Sequence, residues 1–319
     1  MFTGILSRLF FGLICLMCFN VAFGQSFVSS AGSDVNPCDV ATPCRTVNRA
    51  LAAAGVGGNV MLMDAGPYDP FVINRSARVI AATGTSPRII ATDNSIPAIK
   101  VALPPNEFAY LEGLTVNPVT PGGVGINWTM PSKLLWMKNC TVSGFYSGLA
   151  VTAGGAILVD TCAFSHGVSL SATGIRLETS SETEPIFAAI QYTEVYDIGN
   201  GIIGGSNSDV SIRGCRIWGC NGGIQARAVN ADLGGSDNSH AYVTITYSWI
   251  YNNSIGAVQD VTFSSATRTM LRLGYNSVYN NSGPAIVGGC DLGANSVFGN
   301  GWTWIDAIWS GGSAPACSF

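Results

Sequence analysis

The sequence predicts an all-β fold, a right-handed parallel β-helix with a short N-terminal capping helix, and three observations carry that expectation. The first is a recurring four-residue unit that closes on a β-branched or aromatic residue. It appears as "GLTV" from Gly113, "NCTV" from Asn139, "TCAF" from Thr161, "YTEV" from Tyr192, "GCRI" from Gly214, "YSWI" from Tyr247, "YNSV" from Tyr275 and "ANSV" from Ala294. The second is the spacing of its closing residues, 26, 22, 31, 22, 33, 28 and 19 positions from Val116 to Val297. So variable a period excludes helix-pair arrays and suits a coil of short strands whose loops differ in length. The third is a glycine followed by apolar residues after each unit, at Gly148, Gly174, Gly201, Gly223, Gly256 and Gly283. Glycine is expected there to supply a positive-φ turn, and the alternation behind it is that of a strand with one face inward.

Two or three such strands make one rung. Rungs stacked at roughly 4.8 Å pair in parallel, and consecutive parallel strands connect with a right hand. About ten rungs fit the length.

From the N-terminus, "MFTGILSRLFFGLICLMCFNVAFGQS" carries one charge, Arg8, an apolar run from Leu9 to Phe19, and small residues before Gln25. This reads as a secretory signal peptide over residues 1–24, because the run is short for a membrane span; an uncleaved anchor is the alternative. Residues 25–319 then form a single β-helix domain in a secreted or periplasmic protein. Near the start, "TVNRALAAA" has the helix-forming composition and apolar face to cover an open end. At the other end, Trp302, Ile305 and Trp309 stand at helical spacing.

Composition narrows the partners. Only 11% of residues are charged and the net charge is -4, so no basic stripe exists for nucleic acid. No membrane span follows the leader, and a monomer is expected. Eight cysteines remain after the leader, an even count that fits an oxidising compartment. Zinc spacing is missing and the chain has two histidines, so no metal site is expected through thiolates.

In the aligned units the residue two before the closing one is Leu114, Cys140, Cys162, Thr193, Cys215, Ser248, Asn276 and Asn295, a column of small or amide-bearing residues. Cys140 and Cys162 on successive rungs are compatible with a disulfide or with buried thiols, and Cys215 with Cys220 with a clip or two thiols.

These repeats resemble the parallel β-helix repeats of the pectin-lyase-like superfamily. The segment "FVSSAGSDVNPCDVATPCRTVNRALAAAG" resembles the opening of many secreted bacterial members. The resemblance implies a first strand near Phe27–Ser29, a clip of Cys38 with Cys44 and a helix beginning near Thr46. Cys290 and Cys317 are the next pair, available to pin the tail.

Many members of that superfamily cleave acidic polysaccharides, so the resemblance implies polysaccharide binding or processing, by a lyase or a glycoside hydrolase if the protein is an enzyme. Calcium is an allowed cofactor of a lyase. The polygalacturonase motif set is absent, "SHG" at Ser165–Gly167 being its nearest fragment. The alternative is a non-catalytic surface or matrix scaffold, because fold alone does not imply activity.

Alternation places Arg176 and Glu178 of "GIRLE" outward, and Gln225 and Arg227 of "GIQAR" with them. The long inserts follow those strands, bringing Glu182, Glu184, Asp232, Asp237 and His240 to one side of the solenoid. Gln259, Asp260 and Arg268 extend the same groove. Arg176, Arg227 and His240 are the catalytic candidates; Arg176, Glu178, Gln225, Arg227, Asp237 and Asp260 are the substrate-binding ones. Solvated surface charge is the competing reading for all of them. His166 reads as a turn residue. Trp218, Trp249 and Tyr251 follow the repeat and would offer sugar-stacking faces if they point outward.

Overall fold

The computed structural model describes residues 24–181, 183–227, 240–260, 268–287 and 290–301. Their strands coil into three sheets of eleven, ten and nine strands in which every pairing is parallel. The chain visits the first, second and third sheet in turn and then begins again. One rung is Leu134–Lys138, Thr141–Ser143 and Ser147–Val151; the next is Gly155–Asp160, Ala163–Ser165 and Thr173–Leu177. Nine complete three-strand rungs follow the first strand, Gln25–Val28, among the described residues. The right-handed parallel β-helix expected from the repeats is the observed fold.

The recurring unit is the corner between the first and second sheets. Its opening residue takes a left-handed backbone at Gly113, Asn139, Thr161, Tyr192, Gly214, Tyr247, Tyr275 and Ala294, all with φ between 49° and 73°. That single residue turns the chain, the next points inward, and the closing residue enters the core. Val116, Val142, Phe164, Val195, Ile217, Ile250 and Val278 are buried accordingly. A second corner, between the second and third sheets, repeats the device at Gly144, His166, Asp197, Gly219, Asn252, Asn280 and Gly299. His166 is thus a turn residue, as its sequence context indicates.

The glycines of the second signature have another reason than the one expected. None of Gly148, Gly174, Gly201, Gly223, Gly256 and Gly283 is at positive φ. Gly148, Gly174, Gly201 and Gly223 line the inside of the bend into the third sheet, where rungs approach too closely for a side chain; Gly256 pairs with Gly222 instead, and a Cβ on it would meet the Gln259 side chain of its own strand at 2.3 Å. A Cβ on Gly148, Gly174, Gly201 or Gly223 would lie 2.6, 2.7, 2.4 or 2.2 Å from a carbonyl oxygen of the next rung. Close approach, and not turn geometry, selects glycine there.

The two corners carry inward ladders. In the first, the Cys162 amide donates to the Thr193 hydroxyl at 3.3 Å, the Cys215 amide to that of Ser248 at 3.2 Å, and the Ser248 amide to Asn276 Oδ1 at 2.9 Å. In the second, the amide of Cys220 donates to Asn253 Oδ1 at 3.0 Å. Cys215 and Cys220 therefore occupy different columns; they and Cys140 and Cys162 are free, buried thiols.

The N-terminal end matches the expected cap. Cys38 and Cys44 form a disulfide with Cα atoms 4.6 Å apart. Thr46 caps the helix Val47–Ala54, accepting the Arg49 amide, and Val47, Ala50, Leu51 and Ala54 turn one apolar stripe onto the first rungs. Just beyond, Asp64 accepts hydrogen bonds from the Ser29 hydroxyl, the Ser30 and Gly66 amides and the Tyr68 hydroxyl, all between 2.7 and 2.9 Å. Burial pushes its carboxyl up, but these donors outweigh it and hold the group down at about 2. Cys317, Trp302, Ile305, Trp309 and all but the last residue of the leader lie outside the described residues, as does the Cys290 side chain. Among the described residues no helix is long and apolar enough to cross a membrane.

Candidate functional site on the third sheet

The third sheet presents a column of outward side chains above an aliphatic stack. Ile99, Ile126, Leu149, Ile175, Ile202, Ile224, Val258 and Ile286 are all fully buried beneath it. Between them, strand alternation turns Lys100, Asn127, Ala150, Arg176, Ile203, Gln225 and Gln259 to the opposite face in one register, Ile203 being buried there all the same. Arg176 and Gln225 share this column with Ile203 between them. Arg176 is bound to the carboxylate of Glu178, the residue just past the end of its strand. Gln225 donates to Asn200 Oδ1 at 3.3 Å and to Gln259 Oε1 at 3.4 Å, so a run of amides follows the ion pair along the solenoid.

Glu178 and Arg227 stand at the strand ends, with Gly205 between them: Gly205 donates its amide to Leu177 and Arg227 donates its amide to Gly204. Gly205 adds no side chain and a Cβ there would meet that of Glu178 at 2.5 Å. Two rungs, roughly 10 Å at the usual strand spacing, separate the two charged residues. Asp260 is different. It shares register with the buried Ala226 and lies on the inward parity of its strand, half-buried at the strand's end.

The insert after Glu178 stands at the corner between the third and first sheets. Its start is fixed, because Thr179 donates its amide to Ser206 and accepts the Asn207 side-chain amide at 3.2 Å. Glu184 and Pro185, with Lys133, Gly154 and Phe187, line a groove of about 410 Å³ there. The chain between Ala226 and His240 joins the same two sheets. His240 opens a first-sheet strand with its ring 4.8 Å from that of Tyr242. Glu182, Asp232 and Asp237 lie outside the described residues, as does the Arg268 side chain. No three histidine, cysteine, aspartate or glutamate side chains group for a metal among the described residues.

The second-sheet aromatics do point outward, but they cover one another. Tyr196, Trp218, Tyr251, Tyr279 and Phe298 form a stack with interplanar angles of 2° to 9° and centroids 4.8 to 6.1 Å apart. Their faces are spent on their neighbours, so the internal rings of this stack present edges to solvent. Arg216 bridges to Glu194 at 3.1 Å and lies 5.9 Å over the Trp249 ring.

Sequence reasoning missed a cleft on the outer face of the first sheet. Arg78, Phe108, Tyr110, Glu112 and Trp136 line about 490 Å³ of space there. The signal was present: alternation in "ARVIA", "FAYLE" and "LLWMK" turns these residues outward together.

A family model described as a right handed beta helix region matches residues 124–300, more than half of the chain, and the protein belongs to that family. Among solved structures the chain is similar to the pectate lyase Pel9A, with a TM-score of 0.63 and 14% identity, over 92% of this chain and 81% of that one. It is also similar to a rhamnogalacturonan lyase (TM-score 0.54, 13% identity, 85% and 71% covered). A third likeness is to an Acinetobacter phage tailspike protein (0.51, 12%, 86% and 60%). Identities this low speak for the fold alone. No curated protein matches the sequence.

Proposed function

We propose that the protein is exported and binds an acidic polysaccharide along the outer face of the third sheet and the adjoining corner. The observation that carries this reading is the two-column arrangement of Arg176 with Gln225 and of Glu178 with Arg227, beside the groove that Glu184 and Lys133 line. A solenoid repeats its donors at a constant rise, which suits a polymer that repeats its acceptors. Two of the structural neighbours are named as lyases of polysaccharides, and they share this scaffold. The buried Cys38–Cys44 disulfide fits an oxidising compartment.

A panel of acidic and neutral glycans tests the reading, with Arg176→Ala and Arg227→Ala as variants. Saturable binding to an acidic polymer that both substitutions weaken supports it; binding unchanged in the double variant overturns it. Unsaturated uronate products, read by ultraviolet absorbance with and without calcium, would extend the reading from binding to cleavage. A second reading, a rigid non-catalytic scaffold, is favoured by one observation: Arg176 is already committed to Glu178. Under that reading neither products nor glycan binding appear.

A further inference from the structure

The first-sheet cleft differs from the aromatic stack of the second sheet in what it leaves open. Arg78, Tyr110 and Trp136 lie in one register on three successive rungs, flanked by Phe108 on one side and Glu112 on the other. Tyr110 and Trp136 meet edge to face, at 73° with centroids 5.0 Å apart. An edge-to-face pair covers only one of its four ring faces, so apolar ring surface remains for a ligand. Arg78 lies 6.0 Å from the centroid of the Phe108 ring.

The polar groups are complementary to oxygen. Arg78 is exposed, and among the described residues no carboxylate lies within ion-pair distance of it. The indole N–H of Trp136 is buried with no acceptor. That nitrogen is closed to solvent, so a ligand in the cleft meets the indole ring and not its N–H. Glu112 is already occupied, receiving the Tyr110 hydroxyl at 2.6 Å and lying 3.9 Å from Lys138, so its charge is compensated on the protein. The cleft therefore offers an anion-binding guanidinium and apolar ring faces within one half-enclosed space.

We propose that this cleft is a second glycan subsite that takes a carboxylate-bearing pyranose ring, its apolar C–H face against Tyr110 and Trp136 and its carboxylate on Arg78. Arginine holds carboxylates in a two-point fork, and stacking on aromatic rings suits the apolar face of a sugar. The subsite lies on another sheet and on earlier rungs than Arg176 and Arg227, so it does not depend on the third-sheet reading.

The test uses the full chain labelled with ¹⁵N at tryptophan indoles, titrated with an oligogalacturonate trisaccharide and, separately, a neutral cello-oligosaccharide. Trp136→Phe identifies the Trp136 resonance. We expect that resonance to shift saturably with the acidic sugar, the affinity to fall about tenfold or more in Arg78→Ala, and the response to persist in the Arg176→Ala, Arg227→Ala double variant. No shift with either sugar overturns the proposal, as does an equal affinity for the neutral sugar or a response that Arg78→Ala leaves unchanged. Loss of the response in the double variant would assign the binding to the third sheet and overturn it equally. Because Arg78 is exposed, Arg78→Ala is expected to fold like the parent and keeps the test decisive if Trp136→Phe does not.

Discussion

The backbone amide of Asn253 donates to Oδ1 of Asn281, 2.9 Å away and one rung on, and the Asn253 side-chain amide donates to the same oxygen at 2.9 Å. Asn281 repeats the contact with Asn300, and Asn276 makes its equivalent with Asn295 at the other corner. At a corner the left-handed residue swings the next amide out of the sheet ladder, where a buried N–H would be orphaned. An asparagine satisfies that donor and returns its own N–H groups to neighbouring carbonyls. The ladder is the polar counterpart of the aliphatic stack.

Asn281→Ala should accordingly cost about 2–4 kcal/mol, because it removes the shared acceptor for two buried donors of Asn253 and the donors to Ile250 and Tyr279. Asn281→Asp keeps an acceptor yet sets a carboxylate against the carbonyls of Ile250 and Tyr279, and should cost more. Urea unfolding of the three proteins gives that order; an alanine variant as stable as the parent would remove the ladder as a source of stability.

The four ladder cysteines behave as packing residues, and their chemistry should show it. Burial pushes the Cys215 thiol up to about 11 and the Cys220 thiol up to about 12. Thiolate, the reactive form, is then scarce at pH 8. The hydrogen bond with Cys162 holds the Cys140 thiol below its ordinary value, so there protection rests on burial alone; alkylation of the native protein followed by peptide mapping should leave Cys140, Cys162, Cys215 and Cys220 unmodified, and unfolding in denaturant should expose all four. Rapid native labelling of Cys220 would contradict its place in the corner.

The fold was legible because stacking turns one local requirement into a column. A corner needs a left-handed residue, a small inward residue and an apolar one, and "GCRI" or "YNSV" states that need in four letters. The cap was legible for a similar reason, with Cys38, Cys44 and Thr46 all local. The reason for the glycines was not, because contact between Gly201 and the Gly223 carbonyl is made across rungs and leaves no trace in φ. The site was legible only in part. Alternation placed Arg176 and Gln225 in one column, but the parity of Asp260 and the meeting of Arg78 with Tyr110 and Trp136 depend on register between rungs that loop length conceals.

Asp64 ties the first strand to the second rung, and its contribution should depend on pH in a defined window. A carboxylate held below its unfolded value stabilises the fold wherever it is ionised, so the effect is complete above about pH 4 and is lost as pH falls toward about 2. Partial exposure reduces it to about 1–2 kcal/mol. Asp64→Ala should be less stable than the parent by that amount at pH 7, with the gap closing between pH 4 and pH 2. A gap that stays constant across this range would show that packing of Tyr68, and not the charge of Asp64, sets the difference.

Glu178 decides how much of the Arg176 charge a ligand meets. Arg176 is exposed, and its guanidinium is held by a half-buried carboxylate just past the end of its strand, so an anionic glycan must compete with that partner. Exposed ion pairs stabilise proteins little, so Glu178→Gln should change stability by less than about 1 kcal/mol. It removes a negative charge from the binding face and leaves an amide that can still accept from Arg176. Affinity for an acidic polysaccharide should then rise several-fold, mostly at low ionic strength, because the gain is electrostatic and salt screens it. Arg176→Ala in the Glu178→Gln background should abolish the gain. Titrations of the single and double variants at two salt concentrations measure both effects. A Glu178→Gln protein that binds acidic glycan more weakly than the parent would mean that Glu178 itself contacts the sugar, as an acceptor for its hydroxyl groups.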